Sequence, residues 1–330
     1  MDNLENEIAE QAELLGRFDE GDITQIEKVA KIISEVNTSG GRVFLFASGS
    51  SLNACMYARE LFSRDNDIAL EVFPAGEAMN HADDMEQNDL ALLVSQSGES
   101  RDIKKAQKLI GESIKQIVVT NNIKSKLAEN ADIALNLKAG EEKAMPATKT
   151  YFATLVIFMM ISEALSGRIQ ILEARGQIAE DINLSTGRDK PKASLWGGEN
   201  TGLIEILKNK KIFILGSGVM WPQAMEAELK FKEIVKTDAE SYELTEFMHG
   251  PSELLDEKSV VIIFCPKLCN ELDNQIISNI KKQGSKIIAI GSCDCEQADQ
   301  MIKIETRKYF DLISIIVIQK IALELAKSKK

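Results

Sequence analysis

Short apolar runs alternate along the chain with longer stretches in which apolar residues recur every three or four positions. The helical spacing predicts helix over residues 1–38, 52–63, 147–165 and 309–326. The apolar runs predict buried strands at 42–47, 69–73, 90–94, 116–120, 133–137, 211–215, 260–264, 286–290 and 301–304. Because strands that are apolar at every position are covered on both faces, this alternation predicts an α/β fold with parallel sheets.

One local pattern occurs twice. Phe44-Leu45-Phe46-Ala47-Ser48-Gly49 and Phe213-Ile214-Leu215-Gly216-Ser217-Gly218 each lead from an apolar strand into a Ser-Gly loop. The repetition predicts two similar α/β halves, and the polar stretch 184–200, which contains Gly and Pro, marks their boundary. The predicted organisation is a helical segment at 1–38, a first domain at 39–183 and a second domain at 200–330. Neither loop is GxGxxG and neither has a Walker lysine, which argues against dinucleotide and ATP binding.

The net charge, the N-terminal sequence and the length of the apolar runs argue against nucleic-acid binding, secretion and membrane insertion. The formal net charge of the 330 residues is −12, and no dense basic patch interrupts it, so we expect no nucleic-acid partner. The N-terminus has no basic segment followed by an apolar one, which argues against a signal peptide. The most apolar runs, 151–161 and 312–318, are shorter than the ~20 residues of a membrane span. We therefore expect a cytoplasmic protein without membrane contact.

The cysteines raise the question of a metal site. The chain has five cysteines and two histidines. Cys265 with Cys269, and Cys293 with Cys295, could supply four thiolates to zinc, but their spacings are not the usual pairs of zinc sites. The alternative is reduced structural thiols, which the odd count favours. We expect no metal and no cofactor.

Two loops rich in serine follow predicted strands. Ser48-Gly49-Ser50-Ser51 and Ser95-Gln96-Ser97-Gly98-Glu99-Ser100 both stand at strand-to-helix turns. The carboxyl ends of parallel strands lie at one sheet edge, where hydroxyls and helix N-terminal amides can bind an anion. Serines that merely cap helices are the alternative for either loop alone. Together the loops favour a site for a single phosphate held by neutral donors.

Charged residues follow the second Ser-Gly loop. Glu226, Lys230 and Glu233 share one helix face by spacing, and His249-Gly250-Pro251 comes sixteen residues after Glu233. A carboxylate and an imidazole suit proton transfer between adjacent carbons and at a ring oxygen. A solvated Glu–Lys stripe and an ordinary loop histidine are the alternatives. Further upstream, Thr148 and Lys149 either face a ligand or cap the helix that they precede.

Taken together, these segments resemble the SIS (sugar isomerase) family, which binds phosphorylated sugars. The matching pieces occur in family order over about residues 40–255, namely both serine loops, 139–149, 229–234 and 246–251. The chain is most similar to tandem-SIS proteins, the isomerase half of glucosamine-6-phosphate synthase and the SIS-type glucosamine-6-phosphate deaminases. The run Ala139-Gly140-Glu141-Glu142-Lys143 looks most like the deaminase branch. The resemblance implies two homologous SIS domains, each a parallel five-stranded sheet flanked by helices in a flavodoxin-like sandwich.

The resemblance also implies roles for individual residues. Glu233 would move a proton between C1 and C2 of the sugar, and His249 would assist ring opening from the partner subunit of a homodimer. Glu226 and Lys230 match charged positions near the active centre of the family. The residues that would bind the sugar phosphate are Ser50, Ser51, Ser95, Gln96, Ser97, Ser100, Ala147 and Thr148.

Two departures from the family concern the ends of the chain. The sequence does not begin Met-Cys and its first predicted strand is near residue 42, so we expect no glutaminase domain before it. The last predicted helix runs almost to Lys330, so we expect the closing lysine of the family's C-terminal tail to be missing. The run Leu325-Ala326-Lys327-Ser328 imitates the motif of that tail, but it lies too early in the chain.

The resemblance predicts an enzyme that converts an amino-sugar 6-phosphate, in particular glucosamine 6-phosphate, to fructose 6-phosphate and ammonia. A deglycase acting on a fructosamine 6-phosphate is an alternative that needs the same glutamate and histidine. A regulator that binds sugar phosphate without catalysis is a third hypothesis. The presence of Glu233 and His249 favours an enzyme, because a sensor needs only the serine loops.

Overall fold

Strands and helices alternate through the part of the chain that this computed structural model describes, residues 1–187, 201–267, 270–304 and 306–329. The strands are β1 (Val43–Ala47), β2 (Leu70–Pro74), β3 (Leu90–Val94), β4 (Lys115–Thr120), β5 (Ile133–Asn136), β6 (Lys211–Gly216), β7 (Ala239–Glu243), β8 (Ser259–Cys265), β9 (Lys286–Gly291) and β10 (Gln300–Lys303). The α-helices are α1 (Asp2–Glu10), α2 (Glu20–Thr38), α3 (Ser50–Asn66), α4 (Arg101–Ile110), α5 (Lys126–Glu129), α6 (Lys149–Leu165), α7 (Arg175–Thr186), α8 (Thr201–Leu207), α9 (Met220–Lys230), α10 (Glu271–Lys282) and α11 (Phe310–Ser328).

The strands form two parallel sheets of the same topology. The first sheet has five strands in the order β2-β1-β3-β4-β5, and the second has five in the order β7-β6-β8-β9-β10. All neighbouring strands in both sheets are parallel. Strands β1, β3 and β8 are buried at every position, as parallel strands covered by helices on both faces must be. The predicted pair of similar α/β halves is confirmed.

The apolar runs alone did not reveal strand β7. Its sequence, Ala-Glu-Ser-Tyr-Glu, is mostly polar, and four of its five residues are only partly buried. It lies at the edge of the second sheet and pairs only with β6, so polar side chains are tolerated along it. Only the family resemblance predicted a fifth strand in this half.

The helical stretch predicted over residues 1–38 is interrupted. Helix α1 ends at Glu10, a 3-10 turn covers Gln11–Arg17, and α2 begins at Glu20. The new start is set by a capping box, in which the Asp19 carboxylate accepts the Asp22 N–H and the Asp22 carboxylate accepts the Asp19 N–H.

The chain divides into two units, each assembled from separate stretches of sequence. The first-sheet unit consists of Glu13–Glu142 and Lys149–Arg175. The second-sheet unit consists of Met1–Ala12, Lys143–Thr148 and Gly176–Lys330. The short segment 143–148 and helix α1 therefore belong with the second sheet. Most of the predicted boundary segment, at 188–200, lies outside the described residues.

Each unit has one helix that is buried almost throughout. In the first-sheet unit, α6 is buried from Lys149 to Ser162. In the second-sheet unit, α11 is buried along most of its length from Phe310 to Ala326. These helices contain the two most apolar runs of the sequence. Within the described ranges, no helix combines the length and apolar character needed to cross a bilayer.

Aspartates fix the amino ends of three strand pairs. Asp89, Asp132 and Asp299 stand directly before β3, β5 and β10. Their carboxylates accept the backbone N–H of Arg42 at 2.7 Å, Gln116 at 2.7 Å and Ile287 at 2.8 Å, each at the start of the neighbouring strand. Because a bond to a carboxylate is stronger than one between neutral groups, these contacts help to set the register of both sheets.

We expect Asp89→Asn to reduce the free energy of unfolding near neutral pH by about 1–3 kcal/mol, because a charged acceptor is lost at a buried site. Burial alone would raise the pKa of Asp89, but the N–H groups of Glu86 and Arg42 and the Arg42 guanidinium lower it below its ordinary value of 3.8. The stabilisation is therefore complete well above that value and is lost as the pH falls through the folded-state pKa.

Urea denaturation between about pH 7 and pH 2 measures both effects. The wild-type chain should lose stability more steeply than Asp89→Asn in the acid range. Asp65→Asn is the matched control, because Asp65 is 37% exposed and pairs with the adjacent Arg64. A loss of stability in the control as large as that of Asp89→Asn would contradict the role given to Asp89.

Candidate functional site

The first sheet has a crevice between the carboxyl ends of β1 and β3. From β1 the chain passes to β2 on one side, and β3 lies on the other side, so the connections after β1 and β3 diverge. Open α/β sheets bind ligands at such a point. The loops there are 48–51 and 95–100, and the strands that precede them are paired, with Phe46 opposite Leu93. The structure thus places both predicted serine loops on adjacent strands.

The first loop leads into a helix N-terminus. Gly49, with a φ of 58°, is the N-cap of α3, and Ser50 and Ser51 are the first helical residues, both half-buried. A glycine is favoured at this left-handed φ. The N-cap position of α3 is thus occupied by a glycine and not by one of the serines of this loop. The helix terminus itself favours an anion.

The second loop is tightly folded around Gly98. The buried Ser95 hydroxyl accepts the Gly98 N–H at 3.2 Å, and the half-buried Ser97 hydroxyl accepts the Glu99 N–H at 3.1 Å. A Cβ at residue 98 would lie 2.1 Å from the Ser125 hydroxyl oxygen, so only glycine fits. A serine oxygen that accepts a bond still has its own proton to donate to a ligand.

The other two predicted residues of this loop differ in exposure. Gln96 is half-buried, and its carbonyl accepts the Asn121 N–H at 3.0 Å. Ser100 is exposed and is the N-cap of α4, yet its side chain accepts no capping bond. The acidic Glu99 is paired with Lys104 at 2.9 Å, which offsets its repulsion of an anion. The loop therefore offers mainly neutral donors to a ligand.

A buried lysine lies between two glutamates in the second-sheet unit. The Lys230 ammonium is 3.2 Å from Oε1 of Glu226 and 2.5 Å from Oε2 of Glu233. The side chains of Lys230 and Glu226 are fully buried, whereas 25% of the Glu233 side chain is exposed. These residues are therefore not the solvated stripe that was the alternative, and Glu233 is the member of the cluster that a small molecule can reach.

The two glutamates of this cluster stabilise the charged form of Lys230. Burial on its own lowers the pKa of Lys230, but the Glu226 and Glu233 carboxylates outweigh that effect, and the pKa lies above its usual value. Lys230 is therefore a permanent cation near neutral pH. It supplies a fixed positive charge beside Glu233.

Glu233 stands on an unusual turn of helix. Helix α9 ends at Lys230 and continues as a single π-helical turn over Phe231–Val235, which stops at Lys236 with a φ of 57°. Turns of this kind are rare and are frequently found at functional sites. At its end, the Val235 carbonyl accepts a bond from the Lys329 ammonium at 3.5 Å.

The segment Lys143–Thr148 contacts the lysine. The Ala147 carbonyl accepts a bond from the Lys230 ammonium at 3.0 Å. Ala147 is half-buried and Thr148 is buried. The structure thus brings Ala147 to the lysine–glutamate cluster. By clustering of contacts, both residues belong to the second-sheet unit, whereas the serine loops belong to the first-sheet unit.

The residues on either side of this segment are joined by hydrogen bonds within the first-sheet unit. The Glu142 carboxylate accepts the Thr150 N–H at 3.2 Å and also the Thr150 hydroxyl. Upstream, Asn121 accepts the Ala139 N–H at 3.0 Å and donates to the Gly140 carbonyl at 2.6 Å. Buried Lys149 is the first residue of α6. The chain therefore enters and leaves the segment at fixed points.

His249 is exposed after a short 3-10 turn, Glu246–Met248. Glu243, at the end of β7, holds the start of this turn by accepting the N–H of Thr245 at 2.7 Å and of Glu246 at 3.1 Å. In the described structure, no hydrogen bond or ion pair joins His249 to the lysine–glutamate cluster. The predicted loop position is observed, and the role of His249 stays a prediction.

The crevice of the second sheet differs from that of the first. The Ser217 hydroxyl, in the second Ser-Gly loop, donates to Glu243 at 3.0 Å. Glu243 pairs in register with Gly216, the last residue of β6, whereas the corresponding partner of Ala47 in β1 is Pro74. A carboxylate of the protein therefore occupies, in the second half, a place that is apolar in the first. This carboxylate disfavours an anion at the second Ser-Gly loop.

Lys327 and the cysteines, the other residues considered from the sequence, are described last. Lys327, in the run that imitates the family's tail motif, is engaged by Glu5 at 2.8 Å and Glu324 at 3.2 Å. Cys55, Cys265, Cys293 and Cys295 form no disulfide, and Cys269 lies outside the described residues. Among the residues that the structure describes, no group of three or more His, Cys, Asp or Glu side chains could hold a metal.

Sequence reasoning did not identify Glu7, Glu142 or Glu243. Glu7 is buried on α1, and its carboxylate accepts the N–H of Lys143, a residue 136 positions away. No spacing within α1 marks Glu7, because the helix around it is mostly polar. Similarly, Glu243 lies on the edge strand that was missed. These residues are recognisable only from the contacts that the fold creates.

Comparison with known proteins adds independent information. The family model for the SIS domain matches residues 38–164 and 205–308. The first match contains both serine loops, and the second contains the lysine–glutamate cluster and His249. An isomerizing glutamine–fructose-6-phosphate aminotransferase of Sulfurisphaera tokodaii is 30% identical over 312 residues, which cover 93% of this chain and 50% of that protein. The chain spans about half the length of the curated relatives it matches.

Solved structures share the fold. The C-terminal domain of glucosamine-fructose-6-phosphate aminotransferase from Francisella tularensis matches with a TM-score of 0.79 at 23% identity, over 99% of this chain and 96% of that one. A glucosamine-6-phosphate deaminase from Thermotoga maritima matches with a TM-score of 0.72 at 21% identity, over 94% of each chain. At such identities the structures establish a common architecture.

We expect Lys230→Met to reduce the free energy of unfolding by about 3–5 kcal/mol, because it leaves the buried Glu226 carboxylate without its cation. Lys232→Met is the matched control, since Lys232 is 48% exposed and pairs with Glu228. That change should cost less than about 1 kcal/mol. Urea denaturation of both variants compares the two costs, and equal losses would show that the buried cluster does not depend on its lysine.

Proposed function

Because this chain belongs to the SIS-domain family, we propose that it is a sugar-phosphate isomerase-type enzyme that acts on an amino-sugar 6-phosphate. The observation that carries the proposal is the Lys230–Glu233 pair, in which a buried cation holds a partly exposed carboxylate at 2.5 Å. The serine loops at the β1/β3 crevice supply the second requirement, a place for the phosphate. The substrate we propose is glucosamine 6-phosphate, and the products are fructose 6-phosphate and ammonia.

The phosphate is bound by neutral donors. Ser50 and Ser51 lie at the start of α3, and Ser95, Gln96, Ser97 and Ser100 lie around the Gly98 turn. Hydroxyl protons and helix N-terminal amides stabilise a dianion without a fixed cation. This arrangement suits a protein of formal net charge −12, since the phosphate is recognised locally and not by the overall field.

Glu233 transfers the proton. In the open-chain aldehyde, its carboxylate removes the hydrogen on C2, the electrons of that C–H bond form a C1–C2 double bond, and O1 takes up a proton, which gives an enolamine. The same glutamate, now protonated, returns the proton to C1, the nitrogen lone pair forms the C2–N double bond of a ketimine, and the nitrogen gives up one proton, which balances the proton taken up by O1. Water then adds to C2 and ammonia leaves, which gives fructose 6-phosphate. The reaction consumes one water for each ammonia, so it needs no cofactor.

Lys230 and Glu226 position this base. The Lys230 ammonium donates a hydrogen bond to Oε2 of Glu233 at 2.5 Å, which holds the carboxylate in place. Glu226, 3.2 Å from the same ammonium and fully buried, balances the lysine charge from the side away from solvent. Ala147 and Thr148, on the segment that contacts Lys230, are proposed to contact the sugar.

His249 is proposed to assist ring opening. Its imidazole is exposed and, in the described structure, makes no hydrogen bond or ion pair with the lysine–glutamate cluster of its own chain. A histidine that acts in the site of a neighbouring subunit would be exposed in this way. An imidazole has two ring nitrogens that can donate or accept a proton, so it can pass a proton to the ring oxygen. We therefore propose a homodimer in which each His249 acts in the site of the other subunit.

We expect Glu233→Gln to lower kcat for ammonia release from glucosamine 6-phosphate by about 10²–10⁴-fold, the usual contribution of a general base. Binding of inorganic phosphate, measured by calorimetry, should change by less than about twofold, because the serine loops are untouched. Glu253→Gln is the matched control, since Glu253 is exposed on a neighbouring turn and should keep full activity.

The assay also separates the alternatives. If the wild-type chain binds several sugar phosphates and turns over none, the enzyme proposal fails in favour of a binding protein. If only a fructosamine 6-phosphate is consumed, with release of its amine, the deglycase is correct and the deaminase is not. Loss of phosphate binding in Glu233→Gln would mean that the role of Glu233 is misassigned.

Mixing two inactive variants tests the placement of His249. Glu233→Gln and His249→Ala should each be nearly inactive alone. After exchange of subunits, mixed dimers contain one site with an intact glutamate and an intact histidine, so about a quarter of the wild-type activity should return. Absence of any recovery, with mixed dimers verified by mass spectrometry, would place His249 in the site of its own chain.

A further inference from the structure

We propose that Glu7, on helix α1, is a positioning residue for the proton-transfer cluster, acting through the backbone of the segment Lys143–Thr148 on Lys230. The proposal deepens the proposed function and rests on it for the role of Glu233. Glu7 touches neither Lys230 nor Glu233 in the contacts that follow. Its effect passes through hydrogen bonds that all lie within the second-sheet unit.

Glu7 is an acidic side chain whose partners are backbone amides. It is 4% exposed, although helix α1 around it is mostly polar. Its Oε1 accepts the Lys143 N–H at 2.5 Å and the Ala144 N–H at 3.2 Å, and Oε2 lies 3.2 Å from the Ala144 nitrogen. Among the ion pairs of the described residues, none includes Glu7. A carboxylate buried in this way needs those two amides, and they hold the segment in place.

The same segment provides an acceptor for a buried ammonium. Lys230 donates hydrogen bonds to Glu233 at 2.5 Å and to the Ala147 carbonyl at 3.0 Å. Its ammonium also lies 3.2 Å from Oε1 of Glu226 as an ion pair. Ala147 lies only three residues beyond Ala144, which Glu7 holds. The position of the Ala147 carbonyl, and through it the position of Lys230 beside Glu233, therefore depends on Glu7.

Helix α1, which carries Glu7, is itself held in place by hydrogen bonds to helix α11. Gln11, just after the helix, donates to Gln319 of α11 at 2.7 Å, and both side chains are fully buried. Glu5 accepts bonds from Lys327 at 2.8 Å and Lys320 at 3.2 Å, both also on α11. Residues on either side of Glu7 thus attach α1 to helix α11. Glu7 in turn attaches the segment 143–148 to α1.

The chain offers a graded set of variants. Glu7→Ala removes both acceptors. Glu7→Gln keeps one oxygen that can accept an amide proton, and it removes the charge. Glu5→Gln is the matched control, because it makes the same charge change on the same helix but loses partners on α11 and none on the segment. All are made in the full chain, with folding at the assay temperature checked by circular dichroism.

We expect kcat for ammonia release to fall by about 10–100-fold in Glu7→Ala, which is the loss that a bond to a charged group accounts for. Glu7→Gln should fall in between, and Glu5→Gln should stay within about twofold of wild type. The affinity for inorganic phosphate should be unchanged in all three. In hydrogen–deuterium exchange, the amides of Lys143 and Ala144 should exchange faster in Glu7→Ala than in wild type or the control.

The outcomes are distinguishable from failure of the proposed function. If the wild-type chain turns over no sugar phosphate, the proposed function fails, while exchange at Lys143 and Ala144 still decides whether Glu7 holds the segment. Unchanged exchange in Glu7→Ala overturns the proposal. Faster exchange with unchanged kcat in an active enzyme overturns it as well, because the segment would then not act on Lys230. Equal losses in Glu7→Ala and Glu5→Gln would indicate loosening of α1 in general.

Discussion

A cation with no access to solvent needs opposite charge and hydrogen-bond acceptors from the protein, and for Lys230 these partners come from three places. Glu226 on helix α9 supplies an ion pair at 3.2 Å, whereas Glu233 on the π-helical turn and the Ala147 carbonyl, far away in sequence, accept hydrogen bonds. If any of them were displaced, a buried charge would lose a counter-charge or a buried donor would lose its bond, and either change is costly. Much of the local architecture of the second-sheet unit can be understood from this requirement.

The two halves of the fold share a topology but differ in the charge that stands at the sheet edge. In the first half the edge strand ends in Pro74, which brings no charge beside the Ser-Gly loop. In the second half the equivalent strand ends in Glu243, which accepts a hydrogen bond from the Ser217 hydroxyl and orders the turn before His249. The neutral serine loops and the charged lysine–glutamate cluster therefore belong to different units.

Much of the fold could be predicted from the sequence, because buried parallel strands are apolar at every position and the loops after them carry small residues. The grouping of Glu226, Lys230 and Glu233 also followed from their spacing. Glu226 and Lys230 lie on α9, and Glu233 lies on the π-helical turn that continues it. Burial of that face could not be inferred, because a solvated stripe has the same spacing. Strand β7 and the contacts of Glu7 were missed for a related reason. Their polar residues make sense only beside partners that are distant in sequence.

The discontinuity of the second-sheet unit bears on how such a chain can evolve by recombination. Lys230, its carbonyl partner at Ala147 and the carboxylate that holds that segment lie in three separate stretches, Gly176–Lys330, Lys143–Thr148 and Met1–Ala12. A crossover that exchanged only the C-terminal half between two relatives would combine a lysine from one lineage with a segment and a helix from another. These three stretches therefore depend on one another, and an exchange that keeps them together preserves the contacts of Lys230.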